Sequence, residues 1–238
     1  MGIVRSGLLA PILAFVLFAS APVHCQALET LSADFTLRTK RGASVETVRG
    51  SLYHVAPAKT ILRVTEPVTQ WSIFEGGTLL IYYPAERRAF RFVSRNRLLI
   101  PFSYSFIGLV KEDFGLADAG FQLESTEVRG DALMSTWSPP PAVSGVIGRA
   151  VVGIREDRPF LLELYGPNDS LSVRVEYGEY FESGFLAFPT RAKTVQFEGE
   201  SSTEEVYTYE SFAVNAELPE EVAGFALPDD VEVKEVHW

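Results

Sequence analysis

Histidine and cysteine are scarce in this sequence, and their scarcity excludes several kinds of site. The 238 residues include three histidines, His24, His54 and His237, and a single cysteine, Cys25. A single cysteine cannot form an intrachain disulfide. A nucleophile–base pair would depend on His54, because the other two histidines lie in the N-terminal apolar region and at the C-terminus. We expect His54 to be an ordinary strand residue and not a base.

Motifs that mark enzymes are lacking too. The chain has no G-x-S-x-G, no H-E-x-x-H, no glycine-rich phosphate loop and no metal-type spacing of cysteine and histidine. Paired carboxylates are able to catalyse hydrolysis, but with 31 acidic residues any such pair is uninformative. We therefore expect no enzyme activity, no metal and no cofactor. A carboxylate-based hydrolase is the catalytic alternative.

Positive charge is outnumbered by negative charge. Lysine and arginine number 21 against 31 acidic residues, so the formal net charge is −10, and acidic residues crowd the C-terminal third. Such a surface repels the phosphate backbones of DNA and RNA. Nucleic acids are therefore excluded as expected partners.

Long hydrophobic runs are confined to the N-terminus. Arg5 precedes an apolar run at residues 8–18, and small residues with a break follow at 20–22. This order is typical of a secretory signal peptide, and the run is too short to span a bilayer comfortably. We predict export by a signal peptide at residues 1–27 and a single domain at 28–238.

Cys25 leaves two alternatives for the N-terminus of the mature chain. The residue lies just after the apolar run, where the lipid-modified cysteine of a bacterial lipoprotein would stand. However, Pro22, Val23 and His24 precede it, and lipoprotein sites favour small residues there. Cys25 is either removed with the leader or retained as a lipid anchor.

The rest of the chain is rich in short alternating segments bounded by glycine and proline. Short connections between such segments favour antiparallel pairing. Residues 98–119 differ, because Phe102, Phe106 and Leu109 have helical spacing. The pattern predicts one strongly curved antiparallel sheet of about a dozen strands, closing towards a barrel, with one or two short helices over residues 98–119.

Aromatic residues are abundant, with 17 Phe, nine Tyr and three Trp. A curled sheet accommodates these bulky side chains in one of two ways. The side chains fill the interior, or they line an apolar cavity between the sheet and the helices. Such a cavity would bind acyl chains by burial, at roughly 0.8 kcal/mol per methylene.

Several segments in order resemble the outer-membrane lipoprotein carrier (LolA) family. The most specific is FEGGTLLIYYP at 74–84, which is similar to a hairpin of that family. The other matching segments are LETLSADF at 28–35, RGSLY at 49–53, the spaced Pro57, Arg63 and Pro67, residues 102–114, YESFAVN at 209–215 and FALP at 225–228.

The resemblance implies an unclosed β-barrel covered by a short helical lid, with a mainly β (α+β) fold. It also implies a monomeric periplasmic carrier of acylated lipoproteins, which receives cargo from an inner-membrane ABC transporter and passes it to an outer-membrane acceptor. The residues implied to line the lipid cavity are Trp71, Ile73, Leu80, Tyr82, Phe90, Phe92, Phe102, Phe106 and Ile107. Arg63 is implied as a contact of the lid.

The sequence departs from that family in ways that keep alternatives open. Ala56 stands where the family often has an arginine, the N-terminal helix is curtailed, and residues 139–184 form a longer region than in typical carriers. A lipid-anchored acceptor of the LolB type is one alternative. A non-catalytic envelope interaction protein with a filled core is another.

Overall fold

The structure is a computed structural model that describes residues 27–57, 59–93, 113–184 and 186–237. Nearly all of the predicted signal peptide, including Cys25, lies outside these ranges. Phe102, Phe106 and Ile107 of the predicted lid also lie outside them.

The described residues form a strand-rich chain with one short helix. Most strands are joined by short connections, as the sequence predicts. They are β1 (Thr30–Arg41), β2 (Ser44–Val55), β3 (Lys59–Glu66), β4 (Gln70–Glu75), β5 (Thr78–Tyr83), β6 (Arg88–Val93), β7 (Gln122–Arg129), β8 (Ala132–Ser138), β9 (Ala150–Arg155), β10 (Arg158–Tyr165), β11 (Leu171–Ser183), β12 (Leu186–Glu198), β13 (Ser201–Val214), the helix α1 (Glu220–Ala223) and β14 (Glu232–His237).

All fourteen strands belong to one sheet, in the order β14-β6-β5-β4-β3-β2-β1-β13-β12-β11-β10-β9-β8-β7. Neighbouring strands are antiparallel throughout, except that β14 pairs parallel to β6. Among the strands that the structure describes, the edge strands β14 and β7 do not pair with each other, so the sheet is unclosed. The predicted fold class, an unclosed barrel formed by one antiparallel sheet, is confirmed.

A single long-range seam joins the two halves of this sheet. β1 pairs with β13 from Leu31 opposite Val214 to Arg41 opposite Thr203. Every other antiparallel pair joins strands that are consecutive in the chain. The seam therefore holds the half β1–β6 against the half β7–β13.

The main core lies on one face of the sheet. Buried side chains of β1–β3 and of β9–β13 belong to the same cluster, although these strands are far apart in the sheet order. Only a sheet that curves around this face brings them together, so we call it the concave face and the opposite one the convex face. The buried core residues from these strands are Leu31, Ala33, Phe35, Leu52, Leu62, Ala150, Val152, Leu162, Leu164, Val175, Tyr177, Phe188, Ala192, Tyr207 and Tyr209.

Residues 113–120 add apolar side chains to this core. They form consecutive turns, and Phe114, Leu116 and the following Phe121 are almost completely buried against the concave face. The helical prediction for 98–119 is therefore wrong for its described end, where Gly115 and the αL backbone of Phe114 interrupt helix geometry. The remainder of that prediction lies outside the described residues.

The convex face of β2–β5 is covered by the C-terminal segment, residues 216–231. Val222 of α1 is buried there to 1 % exposure, and Leu218, Phe225 and Leu227 pack beside it. In the ranges described, no helix is both long and apolar enough to cross a membrane.

Candidate functional site: the concave face of β4–β6

An apolar surface continues the concave face onto β4, β5 and β6. Phe74 stands opposite Leu79, and Leu79 stands opposite Phe92. Ile81 and Phe90 form the next cross-strand pair. We call these five residues the concave apolar patch.

The patch is less completely covered than the main core. Leu79 is buried to 1 % exposure, but Phe74, Ile81, Phe90 and Phe92 are only half-buried. Among the residues described, no fully buried member of the main core comes from β4, β5 or β6. The four half-buried side chains therefore keep part of their apolar surface exposed on the concave side of these three strands.

An aromatic pair marks the outer end of the patch. The rings of Tyr83 and Phe90 meet edge to face, with centroids 6.3 Å apart and planes at 84°. This contact places Phe90 on the same face of the sheet as Tyr83. Tyr83 shares that face with Ile81, because residues two apart in a strand point to the same side. The patch is thus formed by side chains on three neighbouring strands of the sheet.

The six described residues predicted to line a lipid cavity do not share one face. Phe90 and Phe92 lie on the concave face, within the patch. Trp71, Ile73, Leu80 and Tyr82 lie on the convex face, where they pack with Val222 and its neighbours. The expectation of a common concave face is corrected for these four, while lipid contact by any of the six stays a prediction.

The connection between β5 and β6 explains this split. Residues 84–87 form the hairpin loop, and the register places Tyr83 opposite Arg88 and Tyr82 opposite Ala89. Across this hairpin, an even-numbered residue faces an odd-numbered one, so Leu80 and Phe90 point to opposite sides. Alternation within each strand was visible in the sequence, but the register between strands was not.

Arg63 contacts the C-terminal segment on the convex side. Its guanidinium forms an ion pair with Glu221 of α1 and lies over the Trp71 ring, 5.3 Å from the ring centroid. Cation–π contacts are attractive at this distance. The described partners of Arg63 thus belong to β4 and to the C-terminal segment, and its predicted contact with a lid stays a prediction.

His54 is a buried polar group in the concave wall. Its cross-strand neighbours are Leu31 and Thr60, and its Nδ1 lies 3.0 Å from Thr60 Oγ1. Burial lowers the pKa of His54 below its usual value of 6.5. Its two sheet neighbours carry neither a carboxylate nor a thiol, so the side chain is a neutral wall residue.

A second group of buried polar side chains lies on the concave face of β12 and β13. Glu205 stands opposite Thr194, and both are almost fully buried. Burial raises the pKa of Glu205 above 4.5, while the nearby Arg41 opposes that shift. Burial also raises the pKa of Tyr207 and Tyr209, the next aromatic residues along β13. Burial thus keeps these phenols neutral at ordinary pH.

Known proteins resemble this chain in structure, while comparisons of sequence find no match. No protein-family model matches the chain, and no curated protein matches it by sequence. Solved structures do match: an outer membrane lipoprotein-sorting protein domain from Vibrio parahaemolyticus superposes with a TM-score of 0.62 at 15 % identity, over 81 % of this chain and 88 % of that one. A LolA superfamily protein from Nitrosomonas europaea superposes with a TM-score of 0.57 at 15 % identity, over 82 % and 90 %.

The chain shares the fold of these two proteins. A DUF1329 family protein from Desulfovibrio piger shares it as well, with a TM-score of 0.59 at 15 % identity over 82 % of this chain and 89 % of that one. The resemblance found in the sequence is thereby confirmed at the level of the fold.

Sequence reasoning missed three members of the concave patch on this LolA-like sheet. Phe74, Leu79 and Ile81 belong to it, although the predicted lining contained their strand neighbours. The signal available was the apolar character of both faces of β4 and β5, which indicates strands buried on two sides. That pattern does not say which face is concave.

Proposed function

We propose that this protein binds the acyl chains of lipoproteins on the concave face of its sheet and carries them across the periplasm towards the outer membrane. The observation that carries the proposal is the concave apolar patch, whose four half-buried members lie on the curved side of a LolA-like sheet. Binding is reversible burial, so it needs neither a covalent step nor a nucleotide.

The physical basis is the hydrophobic effect. Burying each methylene of a chain gains about 0.8 kcal/mol, so two methylenes account for roughly a tenfold change in affinity. Aromatic and aliphatic side chains such as Phe90 and Ile81 offer contact without directional demands. The donor in this proposal is an inner-membrane ABC transporter, and the recipient is an outer-membrane acceptor.

The test measures saturable binding of a fluorescent long-chain fatty acid and of a synthetic acylated lipopeptide by the purified protein. Phe90→Asp and Ile81→Asp each place a carboxylate in the patch, and each is expected to weaken binding at least tenfold. Phe197→Asp is the matched control, because Phe197 is 39 % exposed on the convex side of β12. It is expected to leave binding unchanged.

Circular dichroism and urea unfolding show whether each variant retains the fold. Unchanged binding by a folded Phe90→Asp protein contradicts the proposed site. No saturable binding by the unaltered protein contradicts the carrier function and favours an interaction protein with a filled interior.

A further inference from the structure

Positive charge is concentrated in a groove on the convex face, where β1, β13 and β12 run side by side. The groove has a volume of about 440 Å³. It lies on the side of the sheet opposite the concave apolar patch. Its lining residues are Thr36, Arg38, Lys40, Arg191, Glu204, Val206 and Thr208.

Three of the charged groups in this groove are cations without an ion pair. Within the described part of the chain, Arg38, Lys40 and Arg191 have no carboxylate within 4.0 Å, whereas most other arginines do. Arg38, Lys40 and Arg191 are also exposed. Their charges are therefore directed to solvent and open to an incoming anion.

The one carboxylate of the groove is already engaged. Glu204 Oε2 lies 2.9 Å from Lys193 Nζ on the neighbouring strand. Its pKa is lowered by this hydrogen bond first, and by the charges of Lys40 and Arg191 as well. The groove thus keeps a positive surplus on a chain whose formal net charge is −10.

The spacing of the cations matches an extended polypeptide. Arg38 and Lys40 are two residues apart on one strand face, which places them roughly 6.6 Å apart at a rise of about 3.3 Å per residue. An extended peptide repeats its own side chains at the same interval. Acidic residues at alternate positions would meet Arg38 and Lys40 in turn, while Thr36 and Thr208 offer hydroxyl groups.

We propose that this groove is a docking site for an acidic, extended segment of a partner protein. The positive surface is confined to the groove. Asp34 and Glu210 are opposite residues of β1 and β13, and both lie on the same convex face just beyond Thr36 and Thr208. A narrow peptide is able to contact the cations and avoid these carboxylates. A flat anionic bilayer would meet both, and the net negative charge of the chain would repel it.

The site is independent of acyl-chain binding, since it lies on the other face of the sheet. Contacts between exposed charges are weakened by salt over a Debye length of about 10 Å at 0.1 M. Binding at the groove is therefore expected to fall several-fold as salt increases. Burial of an acyl chain is not expected to fall with it.

The experiment measures fluorescence anisotropy of a short labelled peptide of alternating glutamate and threonine with the full chain. A peptide with glutamine in place of glutamate is the control probe and is expected not to bind. The double variant Arg38→Gln/Lys40→Gln is expected to weaken binding of the acidic peptide at least tenfold, and Arg191→Gln alone to weaken it several-fold.

The matched control is Arg129→Gln/Arg155→Gln, which removes two exposed cations from β7 and β9. It is expected to bind the acidic peptide as the unaltered chain does. Equal weakening by this control, or no binding of the acidic peptide by the unaltered chain, overturns the proposal.

Sedimentation with phosphatidylglycerol vesicles tests the other source of negative charge: vesicle binding that depends on Arg38 and Lys40, without peptide binding, overturns it too. Fatty-acid binding measured on the same variants is expected to stay unchanged, so failure of the groove and failure of the carrier function are distinguishable.

Discussion

Trp71 stacks on Phe225, with ring centroids 4.8 Å apart and an interplanar angle of 26°. The contact joins β4 to the C-terminal segment across the convex face. Tyr82 adds a second ring, 6.3 Å from Phe225. Together with the ion pair of Arg63 and Glu221, these contacts make the C-terminal segment an integral layer of the fold.

Removal of the Phe225 ring is expected to destabilise the fold. Phe225→Ala loses the stacking contact and part of the apolar burial around Val222, which we expect to cost about 2 kcal/mol because the ring is half-buried. Urea unfolding measures the change. Phe197→Ala, at an exposed position, is expected to cost less than about 0.5 kcal/mol. Equal losses for the two variants would show that the stack contributes nothing.

A buried carboxylate on β10 depends on one arginine. Glu163 is 7 % exposed, accepts a hydrogen bond from Arg174 Nε at 2.9 Å and another from the Tyr165 hydroxyl at 2.8 Å. Arg174→Ala leaves that carboxylate without its cation, and we expect a loss of about 2 kcal/mol in the free energy of unfolding, less than for a fully buried pair.

The double variant Glu163→Gln/Arg174→Ala is expected to recover part of that loss, because it removes the unpaired charge. The control is Arg49→Ala, whose ion pair with Glu66 is 60 % and 61 % exposed and is worth at most about 1 kcal/mol. Chemical denaturation at neutral pH measures all three variants. A loss for Arg174→Ala no larger than that for Arg49→Ala would contradict this account.

Two buried groups give the stability opposite dependences on pH. The pKa of His54 is lowered by burial, so its contribution is present above 6.5 and is lost as pH falls through the folded-state pKa. The pKa of Glu205 is raised by burial, so its contribution is present below 4.5 and is lost as pH rises through the folded-state pKa.

Single substitutions separate the contributions of His54 and Glu205 to the pH dependence of stability. His54→Gln is expected to flatten the fall in unfolding free energy on the acidic side of pH 6.5, and Glu205→Gln is expected to remove a fall on the basic side of pH 4.5. Urea unfolding across this pH range measures both. A pH profile of His54→Gln that runs parallel to that of the unaltered chain would refute the assignment to His54.

Gly50 allows β2 and β3 to approach each other at a register shift. A Cβ atom at this position would lie 2.2 Å from the carbonyl oxygen of Arg63, and that atom belongs to the backbone. Gly50→Ala is expected to cost about 3 kcal/mol, because the strands must separate to make room. Gly178→Ala, in β11 with no atom within 4 Å of the added Cβ, is the matched control and is expected to be nearly neutral.

The strands could be predicted from the sequence wherever turn residues bound them. β3, β4 and β5 end just before Pro67, Gly76 and Pro84, which stop the chain from continuing as a strand there. Local chemistry is enough for this part of the fold. The number of short segments predicted one curved sheet, and the ordered resemblance to the LolA family added that the barrel is unclosed.

The faces of the strands and the partner of β14 could not be predicted in the same way. Leu80 and Ile81 are equally apolar, so neither hydropathy nor alternation shows which one points to the concave side. The position of Phe225 on Trp71 joins residues far apart in the chain. Such contacts follow from tertiary packing, which a single sequence does not encode in any local pattern.

The parallel pairing of β14 with β6 decides which strand forms one edge of the sheet. β6 has β5 on one side, and its other row of amide and carbonyl groups is occupied by β14, which follows all other described strands in the chain. Unpaired strand borders recruit strands from other molecules and start aggregation. Docking of residues 232–237 therefore moves the edge of the sheet from β6 to β14, where the exposed charges of Glu232, Lys234 and Glu235 disfavour pairing with strands of other molecules.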